Sequence, residues 1–217
     1  MKILFADKHI IVCQKEAGER SEGEGADALP TRIASAMWAA GQRADVYPVH
    51  RLDRETVGVM VFARTKQAAA ALSAAITAGE FGKLYLAICH GTPQPREDTL
   101  RDLLYYDRRR GKSFVVDRKR AGVKEAVLDY TLLSTEGEFS LLRIKLGTGR
   151  THQIRVQLAS RQHPLAGDRR YGAPKSAFST VALVAHRLSF PHPATGEMLT
   201  FDAELPEIFD RLLNHAQ

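Results

Sequence analysis

The feature of this sequence that most restricts its fold is the recurrence of short strand-like runs separated by turns. These runs lie at residues 3–6, 10–14, 58–63, 83–90, 126–134, 139–146, 181–187 and 198–203. Turn residues predict two hairpins, one around residues 7–9 and one around Glu136 and Gly137. Such runs are typical of antiparallel strands, and they argue against a doubly wound parallel sheet.

Helical spacing is confined to four segments that lie between or after the strand-like runs. The clearest is residues 66–78, where Thr65 is suited to cap the first turn and Gly79 to end the last. Further helices are predicted at residues 30–40, 151–161 and 206–214. Many strands with a few interspersed helices predict an α+β fold. Because no repeat, low-complexity tract or linker interrupts the chain, we expect a single domain over residues 1–217, with or without two lobes.

Cysteine usage and the lack of a long apolar segment restrict the compartment. Cys13 and Cys89 lie in apolar strand-like runs and are predicted to be buried structural thiols. The absence of a disulfide framework and of zinc-type Cys/His spacing favours a reducing cytoplasm. The apolar N-terminal run is too short for a signal peptide, and no stretch reaches the roughly 18 apolar residues that a membrane helix needs. We therefore expect a soluble, cytoplasmic protein without membrane contact.

Positive charge is concentrated in residues 108–124, called the basic segment below. It contains eight lysines and arginines and one acidic residue, a net charge of +7, whereas the whole chain carries +6 and its remainder therefore −1. A local excess of this size is typical of a surface that contacts a polyanion. A solvated loop without a partner would have the same composition, so charge alone suggests nucleic acid without proving it.

Two polar clusters stand where strand-like runs end, which is where functional loops commonly lie. The first is residues 50–56 and includes Asp53; the second is residues 147–155. Two glycines in the second cluster allow close approach of the backbone, and Arg150 and Thr151 stand at the start of a predicted helix. That arrangement suits a phosphate, although the spacing of a nucleotide-triphosphate loop is missing.

Helical spacing would direct Arg155 into a pocket lined by core residues. A buried arginine needs a carboxylate, and Asp53 is the candidate; the pair would hold Asp53 ionised and partly dehydrated, as a nucleophile or base requires. A structural ion pair that clamps the two clusters together stays open as an alternative. A metal site built from His50, His152 and Asp53 is disfavoured, because no spacing typical of metal ligands joins them. These histidines are interpreted as hydrogen-bonding or RNA-contacting groups.

The run His50-Arg51-Leu52-Asp53, followed by Thr56 and Gly58, resembles the signature of the RluA-type pseudouridine synthases, in which the aspartate is catalytic. Lys83-Leu84-Tyr85-Leu86-Ala87 resembles the second motif of that family, and residues 149–156 resemble the third. Three motifs in the family's order make the resemblance specific.

The resemblance covers residues 3–209 and implies the pseudouridine synthase fold, a bent, mixed and mainly antiparallel sheet flanked by helices and loops. It implies an enzyme that isomerises chosen uridines in structured ribosomal or transfer RNA and that needs no cofactor or metal. By resemblance, Asp53 is the catalytic carboxylate, Tyr85 packs against the target base, and Arg155 pairs with Asp53. The substrate-binding candidates are His50, Arg51, Arg150, Thr151, His152 and Ile154, the last as an apolar wall of the pocket.

Three positions depart from the family pattern, and they bear on specificity. Val57 stands where a serine is usual, Glu16 replaces a proline, and Gln157 replaces a common histidine. The small N-terminal RNA-binding domain of many relatives is absent from this sequence, so we expect the catalytic domain to find its RNA as a monomer, without a protein partner and with help from the basic segment. A non-catalytic RNA-binding protein or RNA chaperone on the same fold is the alternative.

Overall fold

The computed structural model describes residues 1–42 and 45–214, which divide into two compact units. The first unit is Met1–Lys83 with Val184–Glu204, and the second is Leu84–Leu183 with the C-terminal segment from Leu205. The strands are β1 (Lys2–Ala6), β2 (Ile10–Lys15), β3 (Tyr47–Pro48), β4 (Val57–Ala63), β5 (Gly82–His90), β6 (Glu97–Asp107), β7 (Lys112–Val116), β8 (Val123–Glu136), β9 (Phe139–Leu146), β10 (Leu183–Pro191) and β11 (Met198–Asp202). The α-helices are α1 (Leu29–Ala39), α2 (Lys66–Ala78), α3 (Gln153–Ala159) and α4 (Glu207–Asn214). The predicted α+β class is confirmed.

The sheet of the first unit has the strand order β1-β2-β4-β10, with β3 paired to β4 and β11 paired to β10. Its neighbours are antiparallel except β4 and β10, which run parallel, so the sheet is mixed and mainly antiparallel as predicted. At the parallel step Gly58 lies opposite Ala185 and has a φ of +136°. A Cβ at position 58 would overlap the Ala185 backbone, so only glycine fits here.

Local signals placed the helices of the first unit well. The Thr65 hydroxyl accepts a hydrogen bond from the Ala68 N–H at 3.1 Å, and Gly79 ends α2 in the left-handed conformation. Both are the predicted cap and stop. α1 begins and ends within one residue of the prediction, and the hairpin formed by β1 and β2 is confirmed.

The sheet of the second unit has the order β5-β9-β8-β6-β7 and is antiparallel throughout. The predicted hairpin of β8 and β9 is confirmed, whereas β6 and β7 were not predicted. Only Leu100 and Leu104 of the eleven residues of β6 are buried, and charged side chains fill much of its exposed face, so the apolar alternation is weak. The basic segment extends from the β6–β7 turn to the start of β8.

The predictions for the helix at residues 151–161 and for the two cysteines have different outcomes. α3 is shorter than the predicted helix at residues 151–161, because His152 takes a left-handed φ of 55° and the helix begins only after it. Cys13 and Cys89 are buried, as predicted, and burial raises the pKa of each thiol to about 12. Across the described ranges, every helix is too short or too polar to cross a membrane.

Candidate active site

Asp53 lies in the connection between β3 and β4, on backbone that is fixed by residues of the same unit. Its carbonyl oxygen accepts a hydrogen bond from the Thr56 N–H at 3.1 Å, which closes a turn. The preceding residue, Leu52, is buried, and both of its backbone groups bind the Ser21 hydroxyl. Ser21 Oγ donates to the Leu52 carbonyl at 2.7 Å and accepts from the Leu52 N–H at 3.0 Å. The Asp53 carboxylate therefore stands on a preorganised turn, as a catalytic group requires.

A buried lysine binds the same turn from the end of β2. Lys15 is fully buried, and its Nζ donates to the carbonyl oxygens of Glu16 at 3.0 Å, Arg54 at 2.9 Å and Thr56 at 2.7 Å. These bonds use all three donors of an ammonium group. Burial lowers the pKa of Lys15 to about 8, while the carboxylates of Glu55 and Asp53 act in the opposite direction. The turn that carries Asp53 is thus built around an enclosed positive charge.

The Gly- and Glu-rich loop between β2 and α1 holds the outer side of this turn. Gly18 and Arg54 exchange two hydrogen bonds: the Gly18 N–H donates to the Arg54 carbonyl at 2.8 Å, and Arg54 Nε donates to the Gly18 carbonyl at 2.9 Å. Arg51, a predicted RNA contact, forms an ion pair with Glu22 at 3.0 Å. Both of those side chains are more than half exposed, so the pair contributes little and can open for a phosphate.

His50, another predicted RNA contact, lies against β4. Its Nε2 accepts a hydrogen bond from the Val61 N–H at 3.2 Å, and its ring packs on Phe81 with centroids 5.3 Å apart. Nδ1 is buried and has no hydrogen-bond partner among the described residues. Burial, and secondarily the Lys83 charge, lower the pKa of His50 well below its ordinary value, so the imidazole is neutral. Its observed role is to fix the segment that leads to Asp53.

In the second unit, Arg155 is buried on α3, as its helical position predicted, and its partner there is Asp168. Arg155 Nε and Nη2 donate to the two oxygens of Asp168 at 2.6 Å and 2.9 Å, a bidentate pair with both side chains almost completely enclosed. The guanidinium also lies over the Tyr171 ring, 5.2 Å from its centroid. Asp168 occupies two of the five guanidinium donors. The pairing of Arg155 with Asp53 stays a prediction.

The remaining predicted residues of the second unit fall into two groups. Tyr85 on β5 and Ile154 on α3 are buried, Tyr85 at 5% exposure and Ile154 at 4%. Arg150, Thr151 and His152 are only partly buried and stand in the loop before α3. The contact of Tyr85 with a target base, the place of Ile154 in the pocket wall, and the contacts of the other three residues with RNA stay predictions.

A glutamine that the sequence did not single out for a role organises the loop before α3. Gln153 Oε1 accepts from the Arg150 N–H at 3.0 Å and from the Thr148 hydroxyl at 2.8 Å, and Nε2 donates to the Val127 carbonyl at 3.0 Å. Arg150 Nε in turn donates to the Glu125 carbonyl at 2.9 Å. The loop is therefore attached to β8 at several points.

The basic segment and this loop together enclose a pocket of about 310 Å³ in the second unit, called the basic pocket below. Its lining residues are Leu104, Tyr106, Arg108, Ser113, Gly122, Lys124, Gly149, Arg150 and Thr151. Residues of both predicted polyanion contacts, the basic segment and the loop before α3, thus line one pocket.

Comparison with known proteins gives concordant results. The family model described as RNA pseudouridylate synthase matches residues 9–160. The chain is similar to an uncharacterized RNA pseudouridine synthase of Synechocystis sp., with 35% identity over 98% of this chain and 68% of the relative. It is also similar to ribosomal large subunit pseudouridine synthase D of Zymomonas mobilis, with 33% identity over 95% of this chain and 70% of the relative. Among solved structures, human RNA Pseudouridylate Synthase Domain Containing 4 aligns with a TM-score of 0.78 and 27% identity, over 99% of this chain and 92% of that one.

Proposed function

The chain belongs to the RNA pseudouridylate synthase family and is an RNA pseudouridine synthase, and we propose that it modifies ribosomal or transfer RNA with Asp53 as its catalytic carboxylate. One observation carries the assignment of Asp53. The turn on which it stands is fixed by Ser21, by the three carbonyl bonds of Lys15, and by the Gly18–Arg54 pair. These bonds fix the backbone at Asp53, and a catalytic carboxylate needs such a fixed position.

Pseudouridine formation breaks the bond between C1′ of the ribose and N1 of uracil, turns the base, and joins C1′ to carbon 5. The carbon-5 proton leaves, N1 gains a proton, and no electrons are exchanged with a cofactor. Asp53 would start the reaction by attack on the base or the sugar, or by removal of a sugar proton. Tyr85 would pack against the uracil, and Ile154 would form an apolar wall beside it. These roles come from the family resemblance.

Arg155 would hold Asp53 ionised and in place. Its bidentate pair with Asp168 supports this role, because an arginine whose orientation is already fixed loses little side-chain entropy on binding a second carboxylate. Asp168 is accordingly proposed as a positioning residue that acts through Arg155.

Contact with RNA is proposed for Arg51, Arg150, Thr151 and His152, and for the basic segment. His50 would contribute by holding the segment before Asp53 on β4, given its bond to Val61. The target uridine must leave its stack, at a cost of a few kcal/mol, so loops and bulges are the preferred substrates. We further propose that residues 1–217 act as one catalytic domain, as a monomer in the cytoplasm.

Tritium release from RNA labelled at carbon 5 of uridine tests the proposal. Ribosomal and transfer RNA are taken from cells that lack this protein and are incubated with wild type, Asp53→Asn, and the matched control Asp45→Asn, which removes an exposed carboxylate of the same unit. We expect release by wild type and control, and a loss of more than about 1,000-fold for Asp53→Asn with RNA binding retained. Near-normal release by Asp53→Asn would refute the catalytic assignment.

The proposed pairing has its own test, a double-mutant cycle on turnover with Asp53→Glu and Arg155→Lys. If the two side chains interact, the combined loss is smaller than the product of the separate losses. Strict multiplication of the two losses would show that Arg155 acts without Asp53.

A further inference from the structure

The three cations of the basic pocket come from three different chain segments. Arg108 follows β6, Lys124 lies in β8, and Arg150 belongs to the loop before α3. None of the described residues that line the pocket is acidic. A concavity lined by charges of one sign focuses the electrostatic potential and attracts counter-ions, so the arrangement favours an anionic ligand.

The pocket cations differ from other arginines of the basic segment in their partners. Arg110 is 3.7 Å from the Asp107 carboxylate, and Arg118 is 3.5 Å from that of Asp117. By contrast, no ion pair joins Arg108, Lys124 or Arg150 to a carboxylate in the part of the chain that the structure describes. Arg150 is anchored through Nε to a carbonyl, which fixes the side chain without neutralising its charge.

The pocket also has an aromatic surface. Tyr106 is 39% exposed, and its ring is supported edge-on by the His152 ring, with centroids 6.3 Å apart. Exposed aromatic rings beside cations are the means by which proteins stack an unpaired base while binding its phosphate. Gly122 and Gly149 line the pocket without side chains, which leaves its backbone accessible.

Size restricts the ligand further. About 310 Å³ lies at the lower end of the roughly 300–1,000 Å³ that small-molecule pockets have, so one nucleotide can enter and a duplex cannot. We propose that the basic pocket binds one unpaired nucleotide of the substrate RNA, with its phosphate on Arg108, Lys124 and Arg150 and its base against Tyr106. The inference rests on the proposed function for the identity of the RNA as substrate.

Binding of two fluorescein-labelled RNAs tests the proposal: a single-stranded dodecamer and the corresponding duplex, measured by anisotropy over a range of salt concentrations. All variants are made in the Asp53→Asn background, so that turnover does not enter the measurement. Arg108→Gln and Lys124→Gln should each weaken binding of the single strand about 5- to 10-fold and reduce the slope of log K against log salt by about 0.7. The matched control is Lys145→Gln, an exposed lysine on β9 of the same unit, which should change neither.

Substitutions of Tyr106 distinguish a site that binds a nucleotide from a site that binds phosphate alone. Tyr106→Leu should weaken single-strand binding about 5- to 100-fold with an unchanged salt slope, Tyr106→Phe should retain binding, and duplex binding should be insensitive to both. A Tyr106→Leu variant that binds the single strand as wild type does would overturn the proposal in favour of a phosphate site. Equal losses for Lys145→Gln and the two pocket cations would overturn it in favour of diffuse charge.

The proposed function and the nucleotide site can fail independently. Absence of tritium release from every RNA pool would refute the substrate assignment, yet the Tyr106 series would still report on the pocket. Conversely, normal release together with an insensitive Tyr106 series would remove the pocket and leave the enzyme assignment intact.

Discussion

Lys15 in the first unit and Arg155 in the second are both fully buried cations, and the protein accommodates them in opposite ways. Arg155 is paired with the carboxylate of Asp168, so a neutral pair is enclosed. Lys15 donates to three backbone carbonyls, which carry no formal charge, and its pKa falls to about 8 as a result of burial. In this protein the ion pair orients the Arg155 side chain, whereas the Lys15 ammonium holds together the backbone of the turn that carries Asp53.

The largest expected effect comes from breaking the Arg155 pair. Asp168→Asn removes the carboxylate charge that binds two donors of the buried Arg155 guanidinium, and we expect the free energy of unfolding to fall by about 3–5 kcal/mol in urea denaturation. The control is Asp202→Asn, which breaks an exposed pair with Arg187 and should cost no more than about 1 kcal/mol. The double variant Arg155→Met/Asp168→Leu should recover much of the loss, because both charges are then removed. A cost below 1 kcal/mol for Asp168→Asn would show that Arg155, like Lys15, does not depend on the charge of a paired carboxylate.

Removal of the Lys15 ammonium should cost less. Lys15→Met leaves three carbonyls without their donor but also removes the desolvation of a buried charge, and these effects partly offset each other. We expect a loss of about 2–3 kcal/mol in urea denaturation, together with a fall in the rate of tritium release of at least about ten-fold, because the Asp53 turn loosens. Lys66→Met, an exposed lysine at the start of α2, serves as the control and should leave both quantities unchanged. Loss of stability without loss of turnover would separate Lys15 from the function of Asp53.

The lowered pKa of Lys15 predicts how the difference in stability between the wild type and Lys15→Met depends on pH. The pKa is 10.5 in the unfolded chain and about 8 in the folded one, so between these values the unfolded state binds more protons. The stability of the wild type relative to Lys15→Met should therefore rise with pH, by roughly 2 kcal/mol between pH 7.5 and 9.5. In this range the thiols of Cys13 and Cys89 titrate in the unfolded chain, where their pKa is 9.0, and Lys83 titrates in the folded one, where its pKa is about 8. These groups are present in both proteins and cancel in the difference. A flat or falling difference would show that Lys15 is not titrated as an enclosed ammonium.

The sequence predicted what depends on neighbours along the chain. Thr65 and Gly79 mark the ends of α2 through bonds that lie within a few residues, and the β1–β2 hairpin follows from a turn between two apolar runs. β6 was missed because the apolar signal for a strand is weak when charged side chains fill much of its exposed face. Its place in the sheet is decided by pairing with β8 and β7 rather than by its own composition.

In the candidate site, too, local features were predicted and partners distant along the chain were not. The need of a buried Arg155 for a carboxylate was predicted, but spacing could not select Asp168 from among 25 acidic residues. Lys15 was missed because a lysine at the end of a strand is ordinarily exposed, and its three carbonyl partners come from a turn about 40 positions later as well as from its own neighbour.

The smallest expected effect asks whether the backbone turn depends on the Lys15 charge alone. Ser21 holds Leu52 through a neutral hydroxyl, and Ser21→Ala removes both bonds while leaving the ammonium in place. We expect a loss of about 1–2 kcal/mol in unfolding free energy, since a buried N–H and a buried carbonyl lose their partner. Ser73→Ala, at an exposed position of α2, should stay within about 0.5 kcal/mol of wild type. If Ser21→Ala lowers tritium release as much as Lys15→Met does, the preorganisation of Asp53 belongs to the whole set of backbone bonds, and the enclosed charge is one contributor among several.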